Sequence, residues 1–229
     1  MDKLLRYQRN LGILTPDEQS RLLKSRVCVV GCGGLGGFLI EYLGRMGVGH
    51  ITAVDGDGFD ITNLNRQILS TEKVLGKSKA LQAKERMAQV NSQVHVEAVE
   101  QFLTAENAQT ILAGHDLVLD ALDNIPRRLM LQRFCAQLGI PMIHGAVESW
   151  YGQVATVFPG DNTLLRIYPG HTESEAPGTI AGTPAFSPAL VAALQAGEAV
   201  KLLAGREPGL RGKVLFADLL ANQFDLLDI

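Results

Sequence analysis

The stretch from Arg26 to Asp57 constrains this chain more than any other. An apolar run, Val27-Cys28-Val29-Val30, leads into Gly31-Cys32-Gly33-Gly34-Leu35-Gly36-Gly37, and a helical segment from Phe38 to Met46 precedes a second apolar run ending at Asp55. The pattern reads as strand, phosphate loop, helix, strand. The glycines have separable reasons. One permits the tight turn, one lets backbone amides approach a phosphate, and one lets helix and strand pack closely. The helix N-terminus then presents unpaired N–H groups and a partial positive charge to an anion. Asp55 stands about twenty residues beyond the loop, where a carboxylate accepts hydrogen bonds from ribose hydroxyls. Taken alone, these residues say only that a nucleotide binds, and NAD and ATP both remain open.

Composition bounds the rest. At 229 residues the chain can bury a substantial core, and no linker divides it, so one domain over 1–229 is expected. The 21 basic and 24 acidic side chains give a formal charge of −3, which argues against a dedicated nucleic-acid partner. No run of about eighteen uncharged apolar residues occurs, and the segment Met1 to Arg6 lacks a secretory apolar core. The expectation is a cytoplasmic protein with no membrane association. Three cysteines make no disulfide framework, and Cys28, Cys32 and Cys135 read as buried, unreactive thiols.

Further along, Thr15, Pro16 and Glu18 form a capping box with proline at the first helical position, starting a helix that ends near Lys24. Arg6 and Arg9 lie ahead of it on a short arm. After Asp55 comes a polar loop, Gly56 to Gln67, of a length that is usually functional. Lys77 to Val90 reads as a helix with Lys79 in its first turn, where a cation opposes the helix dipole and needs an anionic partner. Gly76-Lys77-Ser78 is not the end of a Walker loop, because position 71 is Thr71. Val94 to Val99 alternates as a half-covered strand does; Thr104 can cap the next helix and Gly114 can end it.

The run Asp116 to Ala121 is a further strand that delivers Asp123 to its carboxyl end, and a helix begins near Pro126. Arg127, Arg128 and Arg133 on that helix read as a solvated face. Pro141 to His144 is a short strand with His144 at its end, and Trp150 to Phe158 is a longer one. From Pro159 to Pro184 the composition predicts a long mobile loop. Ser187 as cap, Pro188 at the start and Gly205 at the stop then frame an apolar helix whose Leu190, Val191, Leu194 and Val200 pack into the core. A last strand, Lys213 to Asp218, precedes the apolar end at Ile229. Strands alternating with helices predict a Rossmann-like α/β fold: a mostly parallel sheet with helices on both faces and added C-terminal strands.

The carboxyl edge of that sheet gathers Gly31, Gly33, Gly34 and Gly36 with Asp55, Asp57, Thr62, Asn63, Arg66, Gln67, Lys79, Asp123 and Asn124. A hydride-transfer enzyme needs fewer groups, and the Tyr-x-x-x-Lys pair of many short dehydrogenases is absent. Two cations and extra carboxylates suit a nucleoside triphosphate. Arginine and lysine stabilise charge that develops on phosphate oxygens, and a carboxylate holds Mg²⁺ across the phosphates.

The ordered set Arg6 to Arg9 (Arg-Tyr-x-Arg), Gly31 to Gly36 (GxGGLG), Asp55 and Asp57, Asn63 to Gln67, Gly76 to Lys79 and Asp120 to Asn124 (Asp-x-x-Asp-Asn) resembles the MoeB/ThiF/HesA family. These are bacterial relatives of the ubiquitin-activating enzymes, and the likeness covers nearly the whole chain. It implies ATP-dependent adenylation of the C-terminal glycine of a small ubiquitin-like sulfur-carrier protein ending in Gly-Gly. Pyrophosphate is released, and the sulfur transfer served is of molybdopterin or thiamine type. It also implies that Gly34, Asp55, Asn63 and Asn124 hold adenosine, ribose and nearby phosphate. Asp123 would bind Mg²⁺, Arg66 and Lys79 would neutralise phosphates, and Arg9 would act from the partner subunit of a homodimer. Residues 1–25 would then be an arm and helix, 26–145 the nucleotide-binding half, and 146–229 the carrier-binding half with a mobile loop over 159–184.

The chain departs from the family in two places. Many members hold zinc with two Cys-x-x-Cys pairs, but Thr163 and Arg166 stand where the first pair falls, so no zinc is expected. No cysteine lies between Pro159 and Pro184, so no thioester or persulfide is expected there. Rival readings are an adenylating enzyme acting on tRNA, an NAD-dependent oxidoreductase and a noncatalytic ATP-binding scaffold.

Overall fold

The computed structural model describes residues 5–174 and 182–229. Its strands are β1 (Arg26–Val30), β2 (His50–Val54), β3 (His95–Val99), β4 (Leu117–Asp120), β5 (Met142–Glu148), β6 (Tyr151–Val157), β7 (Lys213–Asp218) and β8 (Gln223–Asp228). The helices are α1 (Pro16–Lys24), α2 (Gly36–Met46), α3 (Lys79–Val90), α4 (Ala108–Leu112), α5 (Ile125–Leu138), α6 (Thr163–Ile167) and α7 (Phe186–Ala204). The strands form one sheet in the order β3-β2-β1-β4-β5-β6-β7-β8, parallel from β3 to β5 and antiparallel from β5 to β8. The fold is the Rossmann-like α/β architecture expected, with its antiparallel strands at the C-terminal side.

The pleat decides which face each side chain joins. Val27 and Val29 of β1 enter one core with Leu22, Leu39, Leu43, Met87 and Val191, beneath α1, α2, α3 and α7. Cys28 and Val30 enter the other with Leu112, Leu131, Phe134 and Leu164, beneath α4, α5 and α6. α7 is apolar and long enough to cross a membrane, yet its Val191, Ala192, Gln195 and Ala199 are buried in the core. Strand order reverses around β1, between β2 and β4, which opens a crevice at the carboxyl ends of these strands.

Local signals hold where they rest on near neighbours. The Thr15–Glu18 capping box forms, with Thr15 N–H to Glu18 Oε2 at 2.7 Å and Glu18 N–H to Thr15 Oγ1 at 3.2 Å. Gly205, at φ 83°, ends α7 in the left-handed region that glycine accepts. The N-terminal arm is pinned as well. Tyr7 is buried and its hydroxyl accepts from Asn91 Nδ2 at 2.8 Å, while Gln19 Nε2 donates to the Met46 carbonyl at 2.9 Å. The arm therefore sits at the C-terminal end of α2, the end away from the glycine loop.

Several boundaries differ from the sequence expectation. The helix after Thr104 begins only at Ala108, because Asn107 Oδ1 first accepts the Thr104 N–H at 2.8 Å and closes a turn. Ser187 lies inside α7 rather than at its cap, and its hydroxyl donates to the Ser149 carbonyl at 2.9 Å. β5 continues past His144 to Glu148, since β6 pairs along its whole length through the Ser149-Trp150 turn. The expected loop 159–184 contains α6, and its residues 175–181 lie outside the described residues. β8 was not foreseen. Its Phe224, Leu226 and Leu227 are all exposed, so no alternation marks it, and only pairing with β7 makes it a strand.

Gly36 opens α2 behind the loop. A Cβ there would lie 1.7 Å from the Gly31 carbonyl oxygen, so helix and loop touch through backbone alone. Gly36→Ala is expected to cost at least about 3 kcal/mol, read as a lower urea midpoint, because rigid backbone blocks the methyl group. An unchanged midpoint would mean that the loop yields freely.

Candidate nucleotide site

The crevice is lined by Gly31, Gly33 and Gly34 from the glycine loop, Asp55 and Asp57 beyond β2, Arg66 and Gln67 from the following loop, Lys79 and Asp123. Gly31, at φ 97°, leaves β1 and donates its N–H to the Val54 carbonyl at 2.8 Å. A Cβ on it would stand 2.5 Å from the Ala121 carbonyl oxygen, so the turn requires glycine.

Asp55 ties the loop to its own strand end. Its Oδ2 accepts the Cys32 N–H at 2.7 Å and its Oδ1 the Asp57 N–H at 2.8 Å. Burial raises its pKa above the ordinary carboxylate value against the pull of those amides and of Lys79. Each carboxylate oxygen carries a second lone pair, so the group can still accept a hydroxyl. Lys79 is the buried first residue of α3, and its Nζ stands 3.5 Å from Asp57 Oδ2, which supplies the anion that its place at a helix N-terminus demands. Arg66 Nη1 donates to the Thr62 carbonyl and to Asn65 Oδ1, both at 2.9 Å. Gln67 is buried against Gly33, and its Oε1 has no hydrogen-bond partner among the described residues. A buried acceptor left unmatched at the floor of a glycine-lined cleft suits a ligand that brings a donor. Asp123 is exposed at the rim, its Oδ1 accepting from Asn124 Nδ2 at 2.9 Å.

Other expected residues lie outside the lining. Gly36 is behind the loop. Thr62 gives its N–H and hydroxyl to Asp60 Oδ1, at 2.9 and 2.8 Å, and Asn63 Oδ1 accepts the Asp60 N–H at 3.0 Å. Both hold the loop that presents Arg66. Asn124 is the N-cap of α5, its Oδ1 accepting the Arg127 N–H at 3.1 Å. Arg9 is exposed on the arm and is not among the residues that line the cleft.

Sequence reasoning passed over other lining residues. Gln101, Phe102 and Leu103 close one side after β3, and the Arg127 guanidinium lies 5.0 Å over the Phe102 ring. An isolated aromatic in a polar connection was the available signal. The arginines of α5 form a solvated face only in part: Arg133 is exposed, whereas Arg127 and Arg128 are drawn into the cleft. Arg127 and Arg128 line the cleft, Arg128 is buried and donates twice to the Leu122 carbonyl, and Arg133 pairs with Glu173 at 2.8 Å. Tertiary partners outside α5, invisible to its own periodicity, take up their charges. His144 is not a strand-end residue either; it is fully buried within β5, and burial holds its pKa below the usual imidazole value. The cysteines are buried as expected. Burial pushes the Cys135 thiol up to about 12 and raises Cys28 and Cys32 as well, so all three are inert at neutral pH.

The ThiF family model matches residues 7–229. The chain belongs to the ThiF family. It is 37% identical over 230 residues to the SAMP-activating enzyme E1 of Haloferax volcanii, covering 97% of this chain and 84% of that one. It is 37% identical over 239 residues to the sulfur carrier protein adenylyltransferase of Thermus thermophilus, covering 100% and 88%. Against the molybdopterin-synthase adenylyltransferase of Escherichia coli it is 33% identical over 230 residues, covering 97% and 91%. Among solved structures, PaaA superposes with a TM-score of 0.83 at 21% identity, covering 100% of this chain and 83% of that one. E. coli MccB with ATP gives 0.79 at 21% identity, covering 97% and 70%. At these identities the structural likeness is one of fold, and it places this ThiF-family chain's glycine loop and crevice within a shared architecture.

Proposed function

We propose that this chain adenylates the C-terminal glycine of a small ubiquitin-like sulfur-carrier protein, consuming ATP and releasing pyrophosphate, in sulfur transfer of molybdopterin or thiamine type. The observation that carries the reading is the convergence of Arg66, Lys79 and Asp123 on a cleft floored by Gly31 to Gly34. A nicotinamide enzyme leaves that set without work. The sulfur-carrier adenylyltransferases among the relatives support the same reaction.

In this reading the glycine-loop amides and the start of α2 face the phosphates. Asp55 serves the ribose side, Asn63 holds the loop beside it, and Gln67 Oε1 accepts from the bound nucleotide. Lys79 and Arg66 neutralise charge on the phosphate oxygens. Asp123, with Asn124 behind it, is the acidic group that would hold Mg²⁺, and the ion would supply positive charge against the phosphates. A carboxylate oxygen of the carrier's terminal glycine attacks the α-phosphorus. The bond from α-phosphorus to the bridging oxygen breaks, pyrophosphate leaves with that electron pair, and an acyl adenylate remains. No covalent nucleophile of the chain is needed, so positioning and charge stabilisation supply the rate.

Arg9 fits a homodimer. α2 is 11 residues long, about 16 Å at the helical rise, and the arm is docked at its far end. Arg9 therefore sits on an arm fastened at the end of α2 opposite its own glycine loop and would complete the cleft of a second copy. A soluble cytoplasmic enzyme follows from the same reading.

The test is ATP–pyrophosphate exchange with Mg²⁺, with and without small Gly-Gly-ended carriers from the same genome. Carrier-dependent exchange is the expected result. Tight ATP binding with no exchange against any carrier would overturn the reading in favour of the tRNA-directed or scaffold alternatives.

A further inference from the structure

Beneath the cleft runs a closed ring of buried and partly buried hydrogen bonds that the reaction above does not use. Asp120 and His144 are both fully buried, and His144 Nδ1 stands 2.7 Å from Asp120 Oδ2. A carboxylate only accepts, so Nδ1 carries the proton and Nε2 is left as an acceptor. The Tyr168 hydroxyl lies 3.1 Å from that Nε2, while it accepts from Gln153 Nε2 at 2.6 Å and from Arg128 Nη1 at 3.0 Å. With two donors already directed at its oxygen, Tyr168 gives its own proton to His144. Arg128 then donates to the Leu122 carbonyl through Nη2 at 2.8 Å and Nε at 3.2 Å. The ring closes where the Leu122 N–H donates to Asp120 Oδ1 at 3.0 Å. Both backbone polar groups of Leu122 are thus held, and the next residue is Asp123.

Replacing such a set by apolar side chains is often neutral for stability, so net stability does not by itself account for the ring. What it defines is the turn that presents Asp123. It also ties that turn to Tyr168 at the C-terminal end of α6. Resting on the adenylation reading for its kinetic consequence, we infer that His144 and Tyr168 are positioning residues, which hold the Leu122–Asp123 turn in one arrangement.

The experiment compares His144→Leu, His144→Gln and Tyr168→Phe. A glutamine amide supplies one donor and one acceptor without a titratable ring; leucine supplies neither. At saturating ATP and carrier, His144→Leu and Tyr168→Phe should lose about tenfold in kcat, the cost of about one strong hydrogen bond in the transition state, with the KM for ATP within about twofold of wild type. His144→Gln should recover most of the rate and keep the wild-type pH profile, because the imidazole acts here without changing protonation. Amide hydrogen exchange at Leu122 and Asp123 should quicken in His144→Leu, with β7 unchanged. A folded His144→Leu enzyme with wild-type kcat would overturn the inference, as would His144→Gln being as impaired as His144→Leu. If the wild-type chain gives no pyrophosphate exchange, the adenylation reading fails. The amide exchange then decides the positioning role: faster exchange at Leu122 and Asp123 supports it, and unchanged exchange overturns it.

Discussion

Asp123→Ala is expected to lose at least about a hundredfold in Mg²⁺-dependent adenylation while the fold stays intact, since removing one preorganised charge from a phosphoryl-transfer site costs on that order. The carboxylate stands at the rim, exposed, with its Oδ1 accepting from the neighbouring Asn124 amide. Asn124 keeps its capping bond to the Arg127 N–H in the variant, so α5 loses nothing essential. Exposed substitutions of this kind shift stability by within about 0.5 kcal/mol. Pyrophosphate exchange titrated with Mg²⁺, beside a thermal melt, separates the two effects. A folded variant with unchanged activity would remove Asp123 from the mechanism.

Mixing inactive Arg9→Ala and Arg66→Ala subunits in equal amounts should restore about a quarter of wild-type activity. Random pairing makes about half of the dimers mixed, and each mixed dimer assembles one intact site from the unmutated Arg9 of one subunit and the unmutated Arg66 of the other. The expectation rests on where the arm is fastened. Tyr7, Asn10 and Gln19 bind it to the C-terminal end of α2, so Arg9 and the glycine loop of one chain lie at opposite ends of the same helix. Activity that stays at the level of the separate variants would show that the site is not shared in this way.

The parts of this protein legible in its sequence are those whose physics acts within a few residues. The capping box at Thr15, the glycine turn at Gly31, the glycine stop at Gly205 and the apolar run of β1 depend on near neighbours, and each forms as read, while the spacing from the glycine loop brings Asp55 to the Cys32 amide. Together with alternating strands and helices they specify a parallel sheet with a phosphate loop at its carboxyl edge. The residues that meet there, from Gly31 to Asp123, follow from topology alone, because every parallel strand delivers its end to one edge.

Tertiary structure decided what depends on partners far along the chain. β8 carries no alternation and exists through its pairing with β7; β5 is long because β6 returns beside it. Arg128 left the solvent for Leu122 and Tyr168, the latter 40 residues away, and His144 became buried by pairing with Asp120, 24 residues earlier. A buried polar group is stable only where its hydrogen bonds are met, and no pattern within a single helix or strand states where those partners will be.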